Sequence, residues 1–435
     1  MKKILLIINI LFLSVAVFAQ DDVYPAKPQT EKITLANATV HIGNGTVIAN
    51  GFVTFENGKI IAVGETAPSA PGKLVDLKGK HVYPGLILSN SQLGLVEVNS
   101  VRATIDHTEI GVFNPSIRSI VAYNTDSRVI NTLKSNGILF ANVVPQGGTI
   151  SGSSSVVQLD AWNWEDAIYG ADGQMHMNMP SLFFRPNPFA AFRGTPETRT
   201  AADVIKEGLN QIEGIKSFFR EAAAYHKETV HSKINLKFEA VKALLEKKQK
   251  LFVHCDIVKE MLVAIDFAKE FGFDVVIVGA SESWQIADLL KQNNIAVILG
   301  QQHSLPTMAD DDVDQPYKAA TYLQNAGVLY AINDEDGQTR GRNLPFNAGT
   351  AVTYGITKEQ ALSAITLNAA KILGIDGKTG SIETGKDANM VISEGDILDM
   401  KTSIVTLAFI QGRQVSLEDK HKQLNERYKQ KYGVK

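Results

Sequence analysis

A single cysteine, Cys255, stands in 435 residues, which excludes a disulfide within the chain and any cysteine-cluster metal site. An excess of charge of one sign is missing too. Lys and Arg number 43 against 46 Asp and Glu, a formal net charge of −3, without the basic surplus of a dedicated nucleic-acid or acidic-membrane binder. Glycine (34) and proline (14) are too few for a collagen-like or disordered chain. After the first 20 residues no apolar run is long enough to cross a bilayer. What is present is a 44% hydrophobic, 20% charged chain that can bury a sizeable core. Its length suits about two to three domains, or one large α/β barrel with an accessory domain.

Met1 to Gln20 has the layout of a secretory signal. Lys2 and Lys3 precede an apolar run from Ile4 to Val17, and Val17-Phe18-Ala19 puts small residues at −3 and −1 of a cut after Ala19. The expectation is an exported protein, periplasmic or secreted, with residues 1–19 removed. The runs Lys32–Leu35, Ala38–Ile42, Gly51–Phe55 and Lys59–Val63 that follow are rich in β-formers. Asn44-Gly45 and Asn57-Gly58 punctuate them as turns. Residues 31–83 therefore read as a small antiparallel β module, and a similar texture returns at Ala388–Ile392 and Ile404–Ile410.

Between these ends the hydrophobic period switches back and forth. Helical spacing at 202–227, 236–248, 261–271, 284–293, 319–325 and 358–373 alternates with short apolar strands at 251–254, 275–278, 295–299 and 328–332. Such alternation predicts a parallel sheet covered by helices, and its extent favours a (β/α)8 barrel over an open doubly wound sheet. Two stretches read as loops: the Gly/Ser-rich 147–155, and 175–199, whose Phe-rich part (182–192) would roof something. Residues 417–435 read as a charged amphipathic helix.

In a barrel the chemistry sits where strands end. His254 closes the strand 251–254 and can serve as a metal ligand, a general base or a structural histidine. Asp334, Glu335 and Asp336 follow the strand 328–332 and can hold a cation, activate water or simply face solvent. His303 follows the strand 295–299. Gly377-Lys378-Thr379 is no phosphate loop, because Ile372 replaces the required upstream glycine. Asp310–Asp314 lacks the spacing of a calcium loop.

Three segments carry a family resemblance. Tyr83-Pro84-Gly85-Leu86-Ile87 resembles the PGLID element that opens the barrel in the amidohydrolase superfamily. The run Gly380–Ile392, with Gly385, Ala388 and Asn389 at its fixed points, resembles that superfamily's return into the β module. Ala361–Gly374 resembles the helix before it. The closest flavour is that of exported bacterial imidazolonepropionase-like members. The resemblance implies a (β/α)8 barrel at 84–384, inserted in a composite β-sandwich built from 31–83 and 385–416, with a C-terminal helix at 417–435. It also implies a hydrolase of carbon–nitrogen bonds other than peptide bonds, acting on a small amide or cyclic amide. One or two divalent ions such as zinc would be held by His-x-His on strand 1, a His on each of strands 5 and 6, and an Asp on strand 8.

Residue by residue the sequence departs from that ligand set. Asn90 and Gln92 occupy the positions of the strand-1 histidines, and neutral amides are poor substitutes for imidazole. His254 matches the strand-5 histidine, whereas strand 6 ends Val278-Gly279-Ala280 without one. An ungapped match puts Glu335 at the strand-8 position, flanked by Asp334 and Asp336. The expected site is thus His254 and Glu335 as remaining ligands, with Asp334 and Glu335 as the catalytic carboxylates. His107 and His303 could enter from loops as replacements, and Lys206 or Lys216 could mimic a strand-4 lysine. The alternative is a non-catalytic relative that binds a ligand or partner at the barrel mouth. Expected partners are a small molecule and no nucleic acid, and a homo-oligomer is compatible with the sequence.

Overall fold

A computed structural model describes residues 23–66, 68–184, 199–228, 230–231, 233–334 and 340–434. The signal-like stretch, most of the Phe-rich segment, Glu335 and Asp336 lie outside the described residues. The N-terminal strands are β1 (Ile33–His41), β2 (Val47–Glu56), β3 (Lys59–Gly64), β4 (Lys73–Asp76) and β5 (His81–Pro84). Asn57 (φ 50°) and Gly58 (φ 78°) make the two-residue turn that pairs Glu56 with Lys59 across β2 and β3. Two consecutive positive φ values match the twist of the flanking strands, which is why Asn-Gly stands there.

The chain leaves this module at Pro84-Gly85 and immediately starts the barrel. A Cβ on Gly85 would lie 2.7 Å from Leu139 Cδ1, so only glycine lets the crossing run this close to the neighbouring strand. The barrel strands are β6 (Leu86–Ser91), β7 (Ile138–Val143), β8 (Ile150–Gln158), β9 (Ile168–Asn178), β10 (Lys250–Cys255), β11 (Val275–Gly279), β12 (Ala296–Leu299) and β13 (Tyr330–Ile332). They pair in chain order, parallel except for β8, which runs antiparallel to both β7 and β9. That hairpin corrects the reading of 147–155 and of the start of 175–199 as loops. Gly and Ser in β8 sit where backbone is buried on both sides and every residue of the strand is covered. From β10 onward the strands are short apolar runs, and from β9 onward the connecting segments carry helices, including Ala201–Tyr225 and Val258–Phe271. This is the texture of a sheet buried on both faces.

The helix expected over 358–373 is broken into Lys358–Ala364 and Leu367–Leu373. The break releases the Ile365 carbonyl to accept the Ile87 N–H of β6 at 3.0 Å, tying the helical layer to the first barrel strand. The chain then returns through Gly380, whose φ of +90° and lack of room for a Cβ (2.6 Å from that of Ala370) require glycine. Strands β14 (Met390–Ser393), β15 (Val405–Ile410) and β16 (Arg413–Gln414) join β5, giving the order β16-β15-β14-β5-β1-β2-β3 with β4 beside β1. Leu35, Val53 and Phe55 from one end of the chain share an apolar core with Met390, Ile392 and Phe409 from the other. Tyr169 of β9 donates to Asp387 at 2.6 Å and Asn389 donates to Tyr169 at 3.1 Å, a buried polar link between barrel and composite sheet.

The two edge strands of the barrel, β6 and β13, meet through one side chain. Asn333 Oδ1 accepts from the backbone N–H groups of Ser89 (2.9 Å) and Asn90 (3.2 Å), and its Nδ2 donates to the Asn90 carbonyl at 2.8 Å. The amide thereby does for the seam what a peptide unit does within a ladder. Asn333 is fully buried, so removing it orphans three backbone groups that water cannot reach. Asn333→Ala should cost about 3 kcal/mol. Urea denaturation of the variant would show a lower midpoint at an unchanged m-value.

Candidate functional site

The carboxyl ends of β9 to β11 open on a cavity of about 420 Å³ whose wall includes Asn178, His254, Asp256, Glu260 and Gly279. A larger cavity of about 760 Å³ lies at the opposite end, where Lys134 precedes β7 and Asp160 follows the antiparallel β8. There Lys134 and Asp160 pair at 3.1 Å, both almost fully buried, and Arg413 reaches the same carboxylate at 3.3 Å. These charges are already satisfied by one another, so the end that bears His254 is the candidate site.

His254 is the penultimate residue of β10, level with Asn178 on β9 and Val278 on β11. Its Nε2 is hydrogen-bonded at 2.8 Å to Nδ1 of His176, one layer deeper on β9. His176 Nε2 is hydrogen-bonded at 2.8 Å to Ser154 Oγ, Ser154 donates to Gln174 Oε1 at 3.0 Å, and Gln174 Nε2 donates to the Leu373 carbonyl at 3.0 Å. The row spans β8, β9 and β10. Burial holds His176 well below the usual histidine range, with the neighbouring His254 adding to the effect. Burial likewise pushes His254 down to about 4, against a smaller opposing pull from Asp256. Both rings are therefore neutral at pH 7.

The rest of the wall is occupied in other ways. Burial pushes the Cys255 thiol well up, which leaves it unreactive. Glu260 is also raised by burial, offset by the Leu182 N–H donated to it at 3.0 Å, a bond that pins the start of the Phe-rich segment to the helix Val258–Phe271. Asp256 accepts from Ser281 Oγ at 2.8 Å.

Of the other predicted residues, Asp334 is fully buried two positions beyond β13 and accepts from Asn347 Nδ2 at 3.1 Å. Asn347 Oδ1 in turn accepts the His303 N–H at 3.2 Å, so a strand-8 carboxylate is held by an amide. The His303 ring is exposed and bonded to Thr350 at 2.7 Å, away from any second histidine. His107 keeps a buried Nδ1 without a partner in its own loop. Lys216 pairs with Glu270 at 2.8 Å on the helix Ala201–Tyr225, and Lys206 lies on that same helix, in keeping with the helical spacing of 202–227. Asn90 is buried at the seam, its backbone engaged by Asn333.

This donor set does not fit a catalytic zinc ion. Amides stand at both strand-1 positions, β11 ends without a histidine, and His254 Nε2 is hydrogen-bonded to His176 at 2.8 Å. Among the described residues no three His, Cys, Asp or Glu side chains converge on one point. Three protein ligands are the usual minimum for such a site.

His176, Ser154 and Gln174 were not legible as site residues, since the first two fall in segments read as loops and Gln174 in a stretch given no element. A signal was there in Gln174-Met175-His176-Met177-Asn178, where polar and apolar residues alternate with a strand's period of two.

The amidohydrolase family model matches residues 213–415. The chain is 24% identical over 383 residues to an imidazolonepropionase of Streptococcus gordonii, covering 81% of this chain and 86% of that one. It is 20% identical over 387 residues to amidohydrolase tasK of Hapsidospora irregularis, of which it spans only 38%. The crystal structure of an amidohydrolase from Thermotoga maritima superimposes with a TM-score of 0.72 at 28% identity, covering 88% of this chain and 99% of that one.

Two outcomes follow from the site. A histidine held at about 4 against its ordinary 6.5 binds its proton first in the unfolded chain, so stability is full above pH 6.5 and falls as the pH drops toward 4. His254 alone accounts for about 3 kcal/mol of that fall, and His176 adds to it in the same direction. Urea midpoints across this window should show a clearly shallower slope for His254→Gln. Elemental analysis of protein purified without chelator should find well under one transition-metal ion per chain. The double change Asn90→His and Gln92→His should raise that content. A stoichiometric metal in the unaltered protein, lost on His254→Ala, would reverse this assignment.

Proposed function

We propose, for a chain that belongs to the amidohydrolase superfamily and is imidazolonepropionase-like, that it hydrolyses a carbon–nitrogen bond other than a peptide bond in a small, exported-compartment amide or cyclic amide. The observation that carries the reading is the cavity of about 420 Å³ at the carboxyl ends of the barrel strands, with His254 in its wall. That volume lies in the range of small-molecule sites and suits a single ring. The Lys2-Lys3 start, the apolar run to Val17 and the small residues before Gln20 support export.

The reaction needs a group that takes a proton from water as oxygen attacks the carbonyl carbon, then returns it to the leaving nitrogen. His254, neutral down to about pH 4, is a weak base for this, because an efficient proton acceptor has a pKa near the working pH. The strand-8 carboxylates are the better assignment. Asp334, fixed by Asn347, is proposed for that role together with Glu335 beside it. His254 then positions the substrate or the attacking water by hydrogen bonding. No step is assigned to a metal, since the ligand set does not fit one.

A second reading, a ligand-binding relative without turnover, is favoured by the amides Asn90 and Gln92 at the strand-1 positions. The two separate by experiment. Wild-type protein should release amine or carboxylate from at least one member of a panel of lactams, cyclic ureas and linear amides, followed by NMR. Asp334→Asn should lower kcat by about 100-fold or more. Turnover absent across the panel, with thermal stabilisation by some of its members, would establish the binding reading instead.

A further inference from the structure

The hydrogen-bonded row beneath the mouth has only one consistent direction. Gln174 must turn Nε2 toward the Leu373 carbonyl, because the reverse would set two acceptors 3.0 Å apart. Its Oε1 therefore faces Ser154, and Ser154 commits its one hydroxyl proton to that oxygen. Ser154 Oγ is left as an acceptor, so the proton of His176 sits on Nε2 and its Nδ1 offers a lone pair. His254 must answer with Nε2–H. A neutral imidazole has one proton, and His254 Nδ1 is consequently a bare acceptor. That atom makes no hydrogen bond with any described residue, and its ring lines the mouth cavity.

We propose that Gln174, Ser154 and His176 are positioning residues that lock His254 as a hydrogen-bond acceptor at the mouth, so that the site selects molecules presenting an N–H or O–H donor there: primary or secondary amides, N–H lactams and cyclic ureas, in preference to fully N-alkylated amides. This rests on the hydrolase reading only in taking the mouth as the place where substrate sits. In a nucleophile–His–Asp arrangement the histidine is backed by a carboxylate that stabilises its cation. Here the row ends in a neutral amide, Gln174, which stabilises no charge on either ring. The nearest acids on the cavity wall, Asp256 and Glu260, are engaged by Ser281 and by the Leu182 backbone. A donor buried against a bare acceptor gains a bond, whereas an N-methyl group in its place strands the acceptor and adds bulk.

The test reads the tautomer directly and separately from turnover. Full-length protein carrying 15N-histidine, examined by long-range 1H–15N NMR at pH 7, should show His254 with a bare Nδ1 and a protonated Nε2. Ser154→Ala should mix the two tautomers and Ser154→Thr should restore the single one; should the alanine variant not fold, the wild type and the threonine variant decide. 2-Pyrrolidinone should shift the Nδ1 resonance, and N-methyl-2-pyrrolidinone should bind about tenfold more weakly, the equivalent of one hydrogen bond. A protonated Nδ1 or a charged ring at pH 7, equal affinity for the two lactams, or no response of Nδ1 to either would overturn the inference. Hydrolysis without lactam discrimination would sink this inference alone. Discrimination without hydrolysis of any amide would leave it standing and remove the hydrolase reading.

Discussion

One buried amide closes the barrel, and the geometry of the mouth depends on it. A sheet of eight strands closes only if its first and last members find partners, since an unpaired edge inside the protein leaves backbone groups without water. Strand β13 is three residues long and cannot supply a full ladder to β6. Asn333, the next residue, replaces the missing ladder with three hydrogen bonds to Ser89 and Asn90. Its own N–H donates to the Leu299 carbonyl of β12 at 3.1 Å, so the side chain is aimed by the sheet that it completes. Asn142 on β7 braces β6 from the other side by donating to the Ser89 carbonyl at 3.1 Å. The resemblance to the amidohydrolases implies an ion linking strand 1 to strand 8. In this chain the Asn333 amide links those two strands.

The same substitution of neutral contacts for charged ones runs through the rest of the site. His254 is hydrogen-bonded to His176, and the row behind them consists of a hydroxyl, an amide and a backbone carbonyl. Burying such a row costs little because the polar atoms behind His254 Nδ1 are matched by one another, whereas burying an imidazolium without a counter-ion would be expensive. The result is a row of neutral polar groups across β8 to β10, while the carboxylates of Asp256 and Glu260 stand in the cavity wall beyond it.

How much of this was legible in the sequence depended on which interactions were local. The Asn57-Gly58 turn stands where the spacing predicts it, whereas the Pro84-Gly85 crossing and the Gly380 return were offered by the family resemblance. The apolar strands from β10 to β13 were legible as well, since their burial on both faces writes a continuous hydrophobic run. The β8–β9 hairpin was not. Ser151 to Ser155 carries no apolar alternation, because these small residues are buried against other polar groups rather than against a greasy face. Missing that hairpin hid His176, and hid with it the fact that His254 has a partner. Breaks in helices were equally hidden: nothing within 358–373 announces that Ile365 must give its carbonyl to Ile87, a residue almost three hundred positions earlier.

The division of labour between β10 and β13 follows from what stands behind each group. A histidine becomes a useful base when a carboxylate shares its second proton, and the atoms behind His254 offer only neutral acceptors and donors. A carboxylate becomes a useful base when its donors are few and neutral, so that its charge is not drawn off into an ion pair. Among the donors to Asp334 is the neutral amide of Asn347, at 3.1 Å. Asn347 is itself set by His303 through the backbone N–H, so the loop after β12 helps to orient the carboxylate. In the proposed assignment proton transfer falls to the carboxylates after β13 and hydrogen-bond recognition to His254 on β10, and the seam at Asn333 fixes β13 against β6.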